Sequence, residues 1–175
     1  MPDTETPSLK NSFFVDLDRE LTVTRTVLAA LPEQHFDWKP HPKSMSMIQL
    51  AIHVAHLPQW TRDTLAADEF NFSDAELPPK TMASRNDLLA YFDRNAAALR
   101  QTVAQFDPAT LSRTWTMRNG ARIIASRPRD FVARVWCLNH FIHHRAQLCL
   151  YLRLLDTPVP TVYFNTADDP SWKME

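Results

Sequence analysis

The stretch NHFIHHRAQL, Asn139 to Leu148, places three histidines within five residues of what reads as a long helix. On a wheel of about 100° per residue, His140 centres one face, with His144 about 40° to one side and His143 about 60° to the other. Ala133, Trp136, Cys137, Gln147 and Tyr151 share that sector, and Phe131, Val135, Leu138, Ile142, Cys149 and Leu152 fill the opposite one. Arg134, Arg145 and Arg153 merely flank these strips and read as solvated or interface groups. A helix apolar behind and histidine-lined in front is buried on two sides. Its front then faces the interior of a helical bundle, where ring nitrogens need partners. Its apolar back packs on a neighbouring helix or on a second copy of the chain, which predicts a homodimer.

Working outward, three more segments repeat apolar residues at three-to-four spacing. The first runs from about Ser8 to Leu31 through Leu9, Phe13, Leu17, Leu21, Val27 or Leu28, and Leu31, and Pro32 ends it. The second starts at Ser44 or Ser46, either able to cap it, and runs to about Ala67. Its stripe is Met47, Leu50, Leu57 and Leu65, and Pro58 inside it predicts a kink. The third follows Ser84, whose spacing to Asp87 suggests a capping box, and carries Leu88, Phe92, Ala96, Leu99 and Val103 to Phe106. The histidine helix itself spans about Asp130 to Leu155. Before it, TWTMRNGARIIAS holds an Asn-Gly pair that predicts one small β-hairpin with a type I′ turn. After it comes an irregular tail with enough apolar groups to pack back on the bundle. A single glycine and thirteen prolines suit long helices punctuated by proline. The expected fold is therefore all-α, a four-helix bundle forming one domain over residues 1–175.

Composition narrows the function classes. Apolar residues make up 45% and charged residues 22%, with a net charge of −1 and both signs interspersed. That leaves no electrostatic footprint for nucleic acid or an anionic membrane. No apolar run approaches the roughly 20 residues needed to span a bilayer. The start MPDTETPSLK is acidic and polar, unlike a signal peptide, and predicts a cytoplasmic protein. Cys137 and Cys149, on one helix, stand about 18 Å apart and cannot pair. No Ser-His-Asp arrangement or paired-carboxylate spacing appears.

Residues four apart on a helix stand one above the other, so His140 and His144 can grip one ion. An ion needs a third ligand from another element. His53, on the core face of the second helix with Ser46, Leu50, Leu57 and Trp60, offers it; His56 lies toward the edge. The alternatives are exposed histidines, or core histidines bonded to carbonyls in a metal-free dimeric bundle. Gln147, Tyr151 and Gln49 are candidates to orient a ligand imidazole or a bound substrate. Trp60, Trp136 and Met117 are candidate pocket walls, with plain core as the alternative for each. Three imidazoles suit zinc, nickel, iron or copper alike.

MSMIQLAIHVAHLPQW (residues 45–60) and NHFIHHRAQLCLYLRLLDTPVPTVYF (139–164) together resemble the DinB family of four-helix-bundle metalloproteins. The resemblance rests on His53, on His140 and His144 in an H-x-x-x-H-R-[GA]-Q-L context, and on the run from Arg145 to Pro160. LPEQHFDWKP before the second helix also fits. Ala146 stands where glycine is common, and the YFNTADD tail departs from the family pattern. The resemblance implies an up-down-down-up bundle, often dimeric, with His53, His140 and His144 holding nickel or zinc. It also implies a small-molecule substrate, in some members with a low-molecular-weight thiol. The leading expectation is a metal-dependent hydrolase or thiol S-transferase. Its rival is a stress-induced binding protein whose metal is structural or sensory.

Overall fold

The structure, a computed structural model, describes residues 14–169. It is mostly helical with a small mixed sheet. The helices are α1 (Leu17–Ala29), α2 (Met47–Ala66), α3 (Arg85–Gln105) and a C-terminal rod over residues 129–154. The rod opens with one short turn, α4 (Arg129–Phe131), continues as a π-helical stretch (Val132–Asn139), and ends as α5 (His140–Leu154). α1 packs on α3 and α5, and α2 packs on α3 and on both long parts of the rod. The predicted stripes meet at the centre: Leu21, Val27, Leu28, Met47, Leu50, Leu57, Leu88, Phe92 and Leu99 are all buried, as are Leu148 and Leu152 of the rod. No helix among the described residues is long and apolar enough to cross a membrane.

The caps decide where helices begin. Ser46, not Ser44, caps α2: its hydroxyl accepts from Gln49 N, and the Gln49 side chain accepts from Ser46 N. Ser84 Oγ accepts from Asp87 N, but the Asp87 carboxylate takes the Ser84 hydroxyl proton, so only half of the expected box forms. α1 begins at Leu17, because residues 14–16 form a turn; the expected positions Ser8 to Phe13 lie outside the described residues. Pro58 lies buried inside α2, which runs through it.

The expected lone hairpin is corrected to a three-stranded sheet. β2 (Thr114–Asn119) and β3 (Arg122–Pro128) pair antiparallel, and β1 (Glu69–Asn71) adds to β2 in parallel, Phe70 opposite Met117. Asn119 pairs with Arg122, so the loop is Gly120-Ala121 rather than Asn119-Gly120. Of these two loop residues only Gly120 has a positive φ, +57°, which is the type II′ rather than the type I′ pattern. Asn71 Oδ1 accepts from Gly120 N and ties β1 to that turn. Trp115, Val132 and Cys137 form a second small core joining the sheet to the π-helical stretch, with Trp136 and Met117 packed against it.

The back of the rod is only partly open. Val159 and Val162 of the tail pack against the core beside Ile142 and Cys149, and Leu138 and Leu152 are buried, whereas Phe131 and Val135 stay exposed. Arg145, expected to be solvated, is 1% exposed. Its guanidinium donates to Glu20 Oε2 of α1 at 2.5 Å, to Thr24 Oγ1 at 3.2 Å and to the Tyr163 hydroxyl at 2.8 Å. Tyr163 in turn donates to Glu20 Oε1 at 2.8 Å, closing a ring that locks rod, tail and α1 together. Charges taken this far from water persist only when paired and fully bonded.

Candidate metal centre

His53 projects from the middle of α2 and His140 and His144 from the first turns of α5, all three half-buried. One ring nitrogen from each lies within 4.8 Å of the others. His140 Nε2 stands 3.2 Å from His53 Nε2 and 2.8 Å from His144 Nε2. A proton cannot account for the shorter of those contacts. A neutral imidazole carries one N–H. His140 Nδ1 faces the Trp136 carbonyl at 3.2 Å, and His144 Nδ1 faces Gln147 Oε1 at 2.6 Å. Both partners only accept, so both protons sit on Nδ1 and both Nε2 atoms present bare lone pairs to each other. Left alone this contact repels; a shared cation makes it attractive.

The spacing also suits an ion. Two nitrogens about 2.0–2.1 Å from a common centre stand about 2.9 Å apart at right angles and about 3.3 Å apart in a tetrahedron. The residues present therefore fit a divalent metal through three neutral donors.

Burial keeps the donors neutral. His53 is pushed down to about 4, first by desolvation and then by the neighbouring His144 and His140. His140 is lowered by burial and by His144, against the opposing Trp136 carbonyl. His144 is lowered by burial, opposed by its bond to Gln147. In the unfolded chain each returns to an ordinary value near 6.5. Between about 4 and 6.5 the unfolded chain binds protons that native His53 refuses, so stability rises with pH across that window. Metal-free protein is thus expected to lose stability as pH falls from about 6.5 toward about 4. Urea midpoints at pH 7.5 and pH 5 check this; equal midpoints would show that the folded imidazoles are not held neutral.

The other sequence candidates divide. Gln147 bridges the histidines, accepting from His144 and donating to exposed His143 at 3.2 Å. Gln49 is consumed by the α2 cap. The Tyr151 hydroxyl donates to Met45 O at 3.2 Å and its ring meets Trp38 edge-on, so neither Gln49 nor Tyr151 is bonded to the cluster. His56 turns to the Tyr91 hydroxyl at 2.7 Å. Trp60 stands edge-on to the His140 ring at 6.1 Å. The Trp136 ring and Met117 belong to the second core, but the Trp136 carbonyl, missed in the sequence, orients His140. Neither cysteine supplies a ready thiolate: burial pushes Cys137 up to about 12 and raises Cys149.

None of the curated proteins compared with the chain matches it. Solved structures do. A DinB-like protein from Bacillus subtilis is similar with a TM-score of 0.66 at 18% identity, covering 87% of this chain and 97% of that one. A DinB-like protein from Bacillus cereus gives 0.63 at 15% identity, covering 87% and 97%. At such identities the likeness speaks to the fold. The DinB family profile, however, matches residues 1–174, nearly the whole sequence, and with it the chain belongs to the DinB family.

Proposed function

We propose that this protein holds one divalent ion, nickel or zinc before iron, on His53, His140 and His144, and acts as a metal-dependent hydrolase or thiol S-transferase. The observation that carries the reading is the pair of bare Nε2 atoms facing each other at 2.8 Å, their protons fixed outward on Trp136 O and Gln147 Oε1. Three protein donors leave at least one position open, as catalytic rather than closed structural sites do. Bound there, such an ion supplies Lewis acidity that makes a water or a low-molecular-weight thiol nucleophilic near neutral pH. The chain's own part is to keep the imidazoles neutral by burial and to fix their tautomers by outer hydrogen bonds. With both cysteines held protonated, a thiol nucleophile would arrive with the substrate.

Metal analysis of protein purified without an affinity tag tests the reading, alongside turnover on ester and thiol-transfer panels. About one ion per chain with turnover supports it. One ion without turnover, and a melting temperature that collapses on chelation, selects the structural or sensory alternative. We extend the proposal to an up-down-down-up bundle in a cytoplasmic protein that pairs through the apolar back of the rod, where Phe131 and Val135 are exposed. Light scattering at high micromolar concentration should then give a dimer, and a monomer would refute the pairing.

A further inference from the structure

Beside the cluster lies a cavity of about 240 Å³ reached by the His53 and His140 rings. Leu57 and Trp60 of α2 form its floor, and Phe70, Phe72, Leu77 and Pro78, from β1 and the segment after it, form its roof. Phe70 meets Trp60 and Phe72 edge-on, at 6.3 and 5.0 Å, so ring edges and faces line the space. The other polar members are His56, whose ring is held by Tyr91, and Glu76. No lining residue is a lysine or arginine, so an anionic body would find no cationic partner and would meet the Glu76 carboxylate. A dry cavity of about 150 Å³ holds benzene, so this one takes a single ring with a short substituent. Drug-sized ligands need roughly 300–1,000 Å³. Two further features look outward for a ligand. Phe72 and Leu77 are 42% and 68% exposed around the space. The Trp60 indole N–H is buried and finds no acceptor among the described residues.

We propose that this cavity seats the uncharged, apolar, ring-sized body of the substrate, with its reacting polar group directed at the three-histidine cluster. The proposal rests on the metal reading for the direction of that group, while the cavity and its walls stand independently of it. A ligand with a metal-seeking end and an apolar body joins the two: 4-phenylimidazole, compared with imidazole.

Protein loaded with cobalt(II) should bind both, followed by the change in its visible spectrum. The phenyl ring should tighten binding about 30-fold, as burial of roughly one ring face and edge provides. Leu77→Asp and Phe72→Asp, at exposed positions, should each bring that ratio close to one without changing cobalt stoichiometry. Equal affinities for the two compounds in the unaltered protein, or a ratio untouched by both substitutions, overturns the proposal while leaving the metal reading intact. If no cobalt binds, the metal reading fails by itself, and saturation-transfer NMR of 4-phenylimidazole with metal-free protein decides the cavity. A signal lost in Leu77→Asp supports the seat; no signal in the unaltered protein refutes it.

Discussion

Replacing His140 with alanine should lower affinity for zinc or nickel by more than about 100-fold, because outer-sphere changes alone cost about 10–100-fold. His140 is the central member, the one whose Nε2 lies within 3.2 Å of both other rings. Without it, His53 and His144 remain as two donors on separate helices. Gln147→Leu should act more gently, by about 10–100-fold, since it removes the acceptor that fixes the His144 tautomer. Competition against a chromophoric chelator measures both. An alanine variant that holds metal as tightly as the parent would show that the ion, if bound, sits elsewhere.

The second large effect falls on stability. Arg145→Met leaves the Glu20 carboxylate, 3% exposed at its side chain, with the Tyr163 hydroxyl but no cation. Breaking a buried pair by removing one partner costs about 3–5 kcal/mol. For a chain of this size that lowers Tm by on the order of 10 °C. Removing both charges, Glu20→Leu with Arg145→Met, should recover most of the loss, because no unpaired ion remains. Calorimetry on the two variants separates these outcomes. A single variant melting with the parent would mean that Glu20 reaches water.

The histidine cluster was legible because its signal is periodic: His140 and His144 repeat at one helical turn, and His53 falls on the apolar face of another helix. The helix stripes and the serine caps were legible for the same reason, each being a local rule. The Arg145–Glu20 pair was not read, although a trace of it exists. Glu20 interrupts a face formed by Leu17, Leu21, Thr24 and Leu28, and an acid inside a buried stripe calls for a partner. That the partner is Arg145, 125 residues away, is a tertiary fact. β1 was equally silent: Glu69–Asn71 is too short to show alternation, and its parallel pairing with β2 is set by distant chain. The β-turn was misread by one position, which reduced the required positive φ from both Asn119 and Gly120 to Gly120 alone. Tyr151 was placed near the cluster by angle, but the wheel says nothing about how far along the axis a side chain reaches, and its hydroxyl is bonded to Met45.

The π-helical stretch escaped because no residue type announces it. A uniform 100° wheel drawn through Val132–Asn139 misplaces everything on its N-terminal side relative to His140. Those eight residues act as a spacer whose count fixes the azimuth at which both imidazoles leave the rod. Because a π-turn holds one residue more than an α-turn, deleting one of them would let the stretch relax to ordinary α-helix and turn His140 and His144 by much less than the roughly 100° that the same loss imposes on a regular α-helix. Length changes are ordinarily absorbed in loops. Here a lost codon can be absorbed inside a helix.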